Sequence, residues 1–353
     1  MISKIIEEDI IDIVSEFRGG LKGLEGKTLF ITGGNGFLPS YLVDTINLFN
    51  REITKPIKMV IMNKNYITEK SRLSHLRDNS NVLFIQGNVG KRFEVVGKPD
   101  IIIHAASRAN PTSFLENPID TIDTNVNGIR TLLDYAKDNP LENFVFFSSA
   151  EIYGNPIKEF IPTPEYYTGN INCLESSACY TESKRLAETL AYTFFKKYNV
   201  PVKIPRILLA YGPGMRSDGK VVSDFFERAI KDKEITLRDR GDSTRTFCYV
   251  KDSARAILSI IFNGKSGEAY NVSSDFPNET ISILGLAKMI ANIVDKGVKV
   301  SPKEKAVKNP PYGIETRQVD ITKLRELGFA PKISLKEGLL RLKKHYEEFS
   351  NNS

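Results

Sequence analysis

Several features that mark other classes of protein are scarce in this chain. Its 353 residues include only three cysteines and three histidines, and neither set has the spacing of a zinc site or of a disulfide framework. No apolar run approaches the roughly 18 to 20 residues that cross a bilayer, and the N-terminus lacks the apolar core of a signal peptide. We therefore expect no metal ion, no membrane association and a reducing, cytoplasmic setting.

Charge of one sign is not concentrated anywhere in the sequence. The net charge of +6 comes from 49 basic and 43 acidic residues that are dispersed along the chain. Such a surface is solvated and attracts anionic ligands such as nucleotides only mildly, so nucleic-acid binding is not indicated. With 41% hydrophobic residues, a chain of this length can bury a core without the support of disulfides or metals.

The chain begins with an amphipathic segment. Residues 2–17 place isoleucine, valine and phenylalanine at helical spacing, with acidic residues on the other face. The glycines of "RGGLKGLEG" (18–26) are expected to end this helix. We interpret residues 1–25 as a helical arm that docks on the body of the protein, with docking on a partner subunit as the alternative.

From residue 26 onward, short apolar runs alternate with helical stretches. Continuous rather than alternating apolar runs are typical of strands buried on both faces of a parallel sheet. The predicted strands cover residues 28–32, 58–62, 82–86, 100–105, 143–148 and 202–207. The pattern predicts an α/β fold, with a Rossmann-type doubly wound parallel sheet over residues 26–205. A smaller mixed α/β substrate lobe follows over residues 206–353, and its segments could return to the first domain.

A glycine-rich turn, "TGGNGFLPS" (32–40), follows the first predicted strand. Gly33, Gly34 and Gly36 allow the backbone to turn sharply and to approach a diphosphate, whose charge the next helix N-terminus favours. A tight turn without a ligand is the alternative. Pro39 stands where a third glycine is usual, but proline is tolerated in the first turn of a helix. We therefore expect a working phosphate cradle.

The end of the second predicted strand bears on the choice of cofactor. An acidic residue there accepts hydrogen bonds from the adenosine ribose of NAD, whereas this chain has Asn63 followed by Lys64. Asn63 can hydrogen-bond a ribose, but it lacks the charge that repels a 2′-phosphate. The sequence therefore indicates NAD and leaves NADP open, since Lys64 either favours NADP or is a solvated surface lysine.

Tyr180 and Lys184 lie four residues apart, on one face of a predicted helix. A phenol with a pKa near 10 is a poor base at neutral pH, but a neighbouring ammonium would stabilise the phenolate and let Tyr180 accept a proton from a sugar hydroxyl. Ser149 could hydrogen-bond the same hydroxyl, and Glu151 could act as an acid or a base. A surface tyrosine–lysine pair is the alternative. We interpret His104, which ends a buried strand, as structural.

Together these segments resemble the extended short-chain dehydrogenase/reductases, and within them the NAD-dependent nucleotide-sugar epimerase/dehydratase family. Over about residues 27–350 the family's motifs stand in order: "TGGNGFL", "HAAS", "NPIDTIDTNVNGIRTLLDYA", "SSAEIYG", "YTESK", "YGPG" and "ETRQVDI". The resemblance implies that Tyr180 deprotonates the C4 hydroxyl of a nucleotide-diphosphate sugar while hydride passes to NAD, which gives a 4-keto intermediate. It also implies a homodimer through helices that include the one carrying Tyr180.

The resemblance assigns residues to two binding sites. Cofactor contacts are implied for Tyr180 and Lys184 together with Gly33, Asn35, Gly36, Phe37, Leu38, Asn63, Asn88, Val89, Ala105 and Ala106. Substrate contacts are implied for Arg108, Ser149, Glu151, Val222, Arg245 and Arg317.

Within the family, three segments look like those of the UDP-glucuronate decarboxylases: "EYYTGNINCLESSACYTESKRLAE", "YGPGMRSDGKVVSDFFERAI" and "TRTFCYVKD". That likeness implies that Glu151 assists at C5 of the sugar, that Arg245 lies near the substrate carboxylate and that Arg317 holds the diphosphate. A ketone at C4 turns the C6 carboxylate into a β-keto acid, which loses CO2 readily and leads to UDP-xylose.

Several positions near the expected ligands depart from the decarboxylases. Ala150 replaces a serine and is more like the "SSA" of C4-epimerases, and Leu209 takes the place of an asparagine. Asn88 stands for an aspartate, and Arg108 adds a charge. A 4,6-dehydratase and a C4-epimerase therefore stay open as alternatives. A non-catalytic nucleotide-sugar-binding protein is a further alternative, and the complete set of catalytic serine, tyrosine and lysine stands against it.

Overall fold

A parallel β-sheet forms the centre of the protein, as the continuous apolar runs predict. The computed structural model describes residues 2–216, 219–277, 279–303 and 316–350. Its strands are β1 (Thr28–Thr32), β2 (Lys58–Asn63), β3 (Val82–Gln86), β4 (Ile101–His104), β5 (Asn143–Phe146), β6 (Ser148–Ser149), β7 (Val202–Ile207), β8 (Ala210–Tyr211), β9 (Glu234–Thr236), β10 (Thr244–Arg245), β11 (Cys248–Tyr249), β12 (Glu268–Val272), β13 (Ile281–Ser282), β14 (Lys299–Ser301) and β15 (Thr316–Arg317). The main sheet has the order β12-β7-β5-β4-β1-β2-β3, with β6 beside β7, and its pairs are parallel.

Helices cover both faces of this sheet. They are α1 (Lys4–Lys22), α2 (Phe37–Phe49), α3 (Pro111–Glu116), α4 (Pro118–Asp138), α5 (Ala178–Tyr198), α6 (Val221–Lys231), α7 (Val250–Asn263), α8 (Ile283–Val294), α9 (Thr322–Arg325) and α10 (Leu335–Ser350). Successive residues of β1 point to opposite faces: Leu29 and Ile31 join a core with α1, α2 and α7, whereas Phe30 joins a second core with α4 and α5. The predicted Rossmann-type, doubly wound fold is confirmed.

The strand predicted over residues 143–148 is interrupted in the structure. β5 ends at Phe146, and β6 resumes at Ser148, where it pairs with β7. At the break, the Phe147 amide donates to the His104 carbonyl at 3.0 Å, while the Phe147 carbonyl accepts from Lys184 Nζ at 2.7 Å. The interruption therefore turns one carbonyl towards the helix that carries the predicted catalytic lysine.

The N-terminal helix α1 is longer than its sequence pattern predicts. It continues through Gly19 and Gly20 to Lys22, whereas the glycines were expected to end it. A Cβ on Gly20 would lie 2.5 Å from the ring of Phe262, so the glycine permits close packing of α1 on α7. Asp9 is fully buried in this contact, although the pattern placed the acidic residues on the face away from the apolar stripe.

Residues after 206 form smaller elements and also return to the main sheet. β12 pairs with β7 at the end of that sheet. Three small sheets are built separately, with the orders β13-β10-β15, β11-β8 and β14-β9. The division into domains at residues 205 and 206 stays a prediction. Among the described residues, no helix is both long and apolar enough to cross a membrane.

Candidate active site

The glycine-rich turn after β1 forms a cradle at the carboxyl ends of the parallel strands. Gly33 has φ +71°, and a Cβ there would lie 2.7 Å from the Cα of Ala106, so only glycine fits this approach of two loops. Gly36 is the N-cap of α2, and no side chain in the described part of the chain caps it. The first-turn amides of Phe37 and Leu38 are therefore placed to meet an anion. Pro39 lies within this turn, as expected.

Asn63 ends β2 beside this cradle. Its Oδ1 accepts from the backbone amide of Asn35 at 3.1 Å. Its Nδ2 is buried and has no hydrogen-bond partner within the described ranges. A buried donor without a partner is costly unless a ligand satisfies it, and a ribose hydroxyl is a suitable acceptor. The orphaned donor and the glycine cradle both fit a dinucleotide.

The remaining predicted cofactor residues line the ends of β3 and β4. Asn88 Oδ1 accepts from the amide of Gly90 at 3.0 Å, which fixes the loop after β3, and Val89 is buried in the core beneath α4. Ala105 and Ala106 follow β4 directly, and the Ala106 amide donates to Thr32 Oγ1 at 3.4 Å. The structure therefore brings these residues to one edge of the sheet.

Tyr180 lies in the first turn of α5 and is 5% exposed. The ring of Phe114 stacks on it, with a centroid distance of 5.0 Å and an interplanar angle of 9°. Burial raises the pKa of Tyr180, and a hydrogen bond with Ser149 opposes that rise. Ser149 Oγ also accepts from the amide of Glu151 at 3.2 Å. The predicted serine and tyrosine therefore lie near each other.

Lys184 lies one turn further along α5, on the same face. Its ammonium donates to the Phe147 carbonyl at 2.7 Å and lies 4.8 Å from the ring centroid of Phe146. Burial lowers the pKa of Lys184 to about 7, against the opposing charge of Glu188. Burial is thus the largest influence on the pKa of Tyr180 and on that of Lys184. The sequence suggested instead that the lysine charge would lower the pKa of the tyrosine.

His104 is buried where β4 ends. Its Nδ1 is 2.7 Å from Thr32 Oγ1. Burial first, and then the charge of Lys184, lowers the pKa of His104 to about 3. A neutral imidazole held by a strand side chain agrees with the interpretation of His104 as structural.

A second group of predicted residues surrounds a pocket beside Ser149. Glu151 forms an ion pair with Arg317 of β15, and both line this pocket together with Ala150, Thr163 and Leu208. The register of β10 and β15 places Arg245 opposite Arg317. Burial lowers the pKa of each arginine to about 10. The register thus places two partly buried cations side by side, one of them paired with Glu151.

Leu209 has a left-handed backbone, with φ +38°. Asparagine adopts this region far more readily than leucine does. The backbone at this position therefore suits the asparagine that the resemblance led us to expect, although the side chain is apolar and packs on the core. The departure changes the side chain and not the course of the loop.

Two predicted substrate residues lie apart from the pocket beside Glu151. Arg108 Nε donates to Asp120 Oδ2 at 2.6 Å, and the same carboxylate accepts from Lys64 Nζ at 3.2 Å. The side chain of Val222 is 2% exposed and packs in the core beneath α6. The structure therefore places Arg108 beside the end of β2, which the sequence did not indicate.

Sequence reasoning missed a relay of hydrogen bonds behind the catalytic helix. Ser107 Oγ donates to Asn125 Oδ1 at 2.7 Å, and Asn125 Nδ2 donates to Ser183 Oγ at 2.8 Å. Ser183 Oγ donates to the Tyr180 carbonyl at 3.0 Å. The relay joins the loop after β4, through α4, to α5. Asn125 lies in a quoted motif, but nothing in that motif indicates its partners.

Glu188 and Arg72 were also missed. Arg206 Nη2 donates to Glu188 Oε2 at 2.7 Å. Ser148 Oγ donates to the other oxygen of the same carboxylate, Oε1, at 2.5 Å. Arg72 donates to the carbonyl of Gly214 at 2.7 Å and to that of Asn35 at 3.3 Å. Arg72 thus ties the glycine cradle to the loop after β8. Within the described ranges, no group of three or more acidic, histidine or cysteine side chains is arranged to hold a metal ion.

Comparisons with known proteins agree with this geometry. The UDP-glucuronic acid decarboxylase 1 of Arabidopsis thaliana is 34% identical over 316 residues, which cover 89% of this chain and 68% of that protein. A UDP-glucose 4-epimerase from Thermotoga maritima, solved with UDP-glucose, superposes with a TM-score of 0.77 at 25% identity over 92% of this chain and 99% of that one. A dTDP-glucose 4,6-dehydratase from Streptomyces venezuelae, solved with NAD and TYD bound, has a TM-score of 0.78 at 22% identity over 92% and 98%.

The likeness extends over most of the chain. The model of a family described as NAD dependent epimerase/dehydratase matches residues 29–273. The resemblance seen in the sequence motifs is thereby confirmed. The chain belongs to the NAD-dependent epimerase/dehydratase family of enzymes that act on nucleotide sugars.

Proposed function

We propose that this protein oxidises UDP-glucuronic acid at C4, with NAD as the cofactor, and then decarboxylates it to UDP-xylose. The observation that carries the proposal is the arrangement at residues 149–151. The Ser149 hydroxyl lies close enough to Tyr180 to lower the pKa of its phenol, and two residues later Glu151 pairs with Arg317. One short segment thus joins the tyrosine that is proposed as the base to a carboxylate beside a cation. The 34% identity to a UDP-glucuronic acid decarboxylase supports the choice of substrate.

Tyr180 would accept the proton of the C4 hydroxyl as its phenolate. Burial opposes that form, whereas the Ser149 hydroxyl favours it, and the positive charge of a bound nicotinamide would favour it further. Bound NAD supplies the acceptor for the C4 hydride and returns that hydride at the end. Lys184 lies one turn away with a pKa near 7, so it can hold or release a proton at neutral pH. The buried relay through Asn125 and Ser183 fixes the backbone at Tyr180. The position of Tyr180 is thus fixed by Asn125 and Ser183, whereas Lys184 holds or releases the proton beside it.

Decarboxylation follows from the ketone at C4. The C5–C6 bond breaks, CO2 leaves, and the electron pair moves through C5 to the carbonyl oxygen at C4. C5 then takes a proton from Glu151, which must first gain one from solvent because its ion pair with Arg317 keeps it a carboxylate. The two arginines bind anions: Arg317 the diphosphate, and Arg245, beside it in register, the C6 carboxylate. An arriving diphosphate competes for Arg317 and separates it from Glu151, so substrate binding frees the carboxylate.

A C4-epimerase is a second candidate, because Ala150 lines the pocket where the decarboxylases carry a serine. Purified protein should be incubated with NAD and UDP-glucuronic acid, and the products separated by chromatography. We expect CO2 and UDP-xylose. UDP-glucose in a parallel reaction is the control: its conversion to UDP-galactose would favour epimerisation, and conversion to a 4-keto-6-deoxy sugar would favour dehydration. No product from any of a broad panel of nucleotide sugars would contradict the proposal.

A further inference from the structure

The end of β2 carries no acid, yet a carboxylate reaches it from another element. Asp120 lies in the first turn of α4. It accepts from Lys64 Nζ at 3.2 Å and from Arg108 Nε at 2.6 Å. Lys64 follows β2 directly, and Arg108 lies in the loop after β4. One carboxylate therefore joins two cations from two of the loops that line the cofactor crevice.

The position of this cluster matches the adenosine end of a dinucleotide site. The Lys64 carbonyl accepts from Gln86 Nε2 at 3.3 Å, at the end of β3. On α4, Asn127 Nδ2 donates at 3.4 Å to the carbonyl of Gly90 in the loop after β3. Asn63, with its buried Nδ2 unpartnered among the described residues, is the immediate neighbour. In this fold the ribose hydroxyls lie at the end of the second strand, and there an arginine or a similar cation receives a 2′-phosphate.

Asp120 stays charged in this setting. Burial would raise its pKa, but the hydrogen bonds from Arg108 and Lys64 and their charges outweigh burial and lower it. Lys64 would otherwise be a free ammonium beside the ribose. Because Asp120 holds it, a 2′-phosphate must separate an ion pair and approach a carboxylate, whereas a ribose hydroxyl needs neither.

We propose that Asp120 makes this protein selective for NAD over NADP by holding Lys64 and by opposing a 2′-phosphate. The inference rests on the proposed use of a nicotinamide cofactor. It assigns to α4 the discrimination that an acid at the end of β2 provides elsewhere in this fold. Lys64, which the sequence left between an NADP contact and a surface lysine, is thus an NADP contact that Asp120 suppresses.

The test is a competition for binding, which does not depend on turnover. Each protein is dialysed to equilibrium against equimolar NAD and NADP, and the retained cofactors are quantified by chromatography. We expect the wild type to retain mainly NAD. In Asp120→Asn the retained ratio of NADP to NAD should rise about tenfold, the size of one charge-assisted hydrogen bond gained by the phosphate. In the double variant Asp120→Asn/Lys64→Ala that rise should be smaller, because only the loss of the opposing carboxylate remains.

Asp134→Asn is the matched control. Asp134 lies on the same helix and pairs with Arg130 at 2.7 Å, but it is about four turns away from Asp120. The retained ratio of NADP to NAD in Asp134→Asn should therefore equal that of the wild type. An unchanged ratio in Asp120→Asn, with NAD still retained, would overturn the inference and leave the proposed function intact. A rise of the same size without Lys64 would also overturn it. Retention of neither cofactor by the wild type would overturn the proposed function itself.

Discussion

Ionisable side chains are buried in two regions of the molecule, and their surroundings differ. In the catalytic crevice, burial is the leading cause of each shift: it raises the pKa of Tyr180 and lowers that of Lys184 to about 7 and that of His104 to about 3. All three are thereby moved towards their neutral forms. Tyr180 and Lys184, which the proposed chemistry uses, are thus held with little electrostatic compensation.

Beneath α1 the buried groups are ion-paired instead. We call this region the N-terminal clamp; it consists of Asp9, Asp12 and Glu16 of α1 with Tyr249, Lys251, Arg255 and Arg341. Arg255 is 2% exposed, and it pairs with Glu16 and with Asp252, each at 2.6 Å. Asp9 is fully buried, and it accepts from Tyr249 and Arg341, each at 2.8 Å.

The difference teaches what burial does to a charge. Without a nearby opposite charge, burial favours the neutral form and brings a lysine close to the pH at which it exchanges protons. With opposite charges at hydrogen-bond distance, Glu16 and Arg255 keep their charged forms and fix the positions of the elements that carry them. The crevice is therefore suited to proton transfer, and the clamp to holding α1 on α7 and α10.

The largest effect is expected for Tyr180→Phe. The change removes the proton acceptor but leaves the ring that stacks on Phe114, so turnover of the nucleotide sugar should fall by about 10² to 10⁴ with little change in melting temperature. Initial rates and thermal unfolding measure the two effects. Tyr198→Phe, at the exposed end of the same helix, is the control and should keep the full rate. Activity within tenfold of the wild type in Tyr180→Phe would show that the phenol is not the base, and would favour a non-catalytic binding role for the crevice.

In the clamp, Arg255→Met should have the opposite effect to Tyr180→Phe: a large loss of stability with little change in activity. Removing one member of a buried ion pair leaves Asp252, 1% exposed, without its cation, and should lower the free energy of unfolding by about 3 kcal/mol. The rate per folded molecule should stay unchanged. Arg130→Met, which removes an exposed pair with Asp134, is the matched control, with an expected loss below about 0.5 kcal/mol. Urea unfolding measures both, and equal losses in the two variants would remove the distinction between buried and exposed pairs.

Glu151→Gln tests a charge in the crevice that is paired. The amide keeps the shape but cannot deliver a proton to C5, so formation of UDP-xylose should fall by about 10². Glu142→Gln, at the surface, is the control and should not change the rate. A rate near that of the wild type in Glu151→Gln would favour C4 epimerisation, which needs no acid or base at C5.

The smallest effect is a pH dependence of stability in the clamp. Burial, against the charges of Arg341 and Lys251, raises the pKa of Asp9 from 3.8 to about 6. The folded protein therefore binds a proton that the unfolded chain releases, and this contribution to stability is lost as pH rises from about 4 to 6. In Asp9→Asn that loss, on the order of 2 kcal/mol, should be absent. The difference in unfolding free energy between the two proteins, measured from pH 4 to 7, should change with pH; a constant difference would contradict the assignment to Asp9.

Much of the fold could be predicted because its signals are local. Each strand of the central sheet up to β7, except the short β6, was found from a continuous apolar run. The two cores follow from the alternation of side chains along the strands. The spacing of Tyr180 and Lys184 places both on one face of α5, since residues four apart in a helix are neighbours. The interruption at Phe147 could not be predicted, because it depends on the carbonyl's contact with Lys184.

The sequence by itself determined the parallel sheet, the glycine cradle and the helix that carries Tyr180 and Lys184, because periodicity and short motifs depend on residues that are close along the chain. Only the tertiary structure decided which charges meet. Glu151 and Arg317 are 166 residues apart, and Asp9 and Arg341 are 332 apart. Asp120 of α4 meets Lys64, the residue after β2, although 56 residues separate them. Pairing between distant segments, and the burial that sets their pKa values, follow from topology and packing, which no local pattern contains.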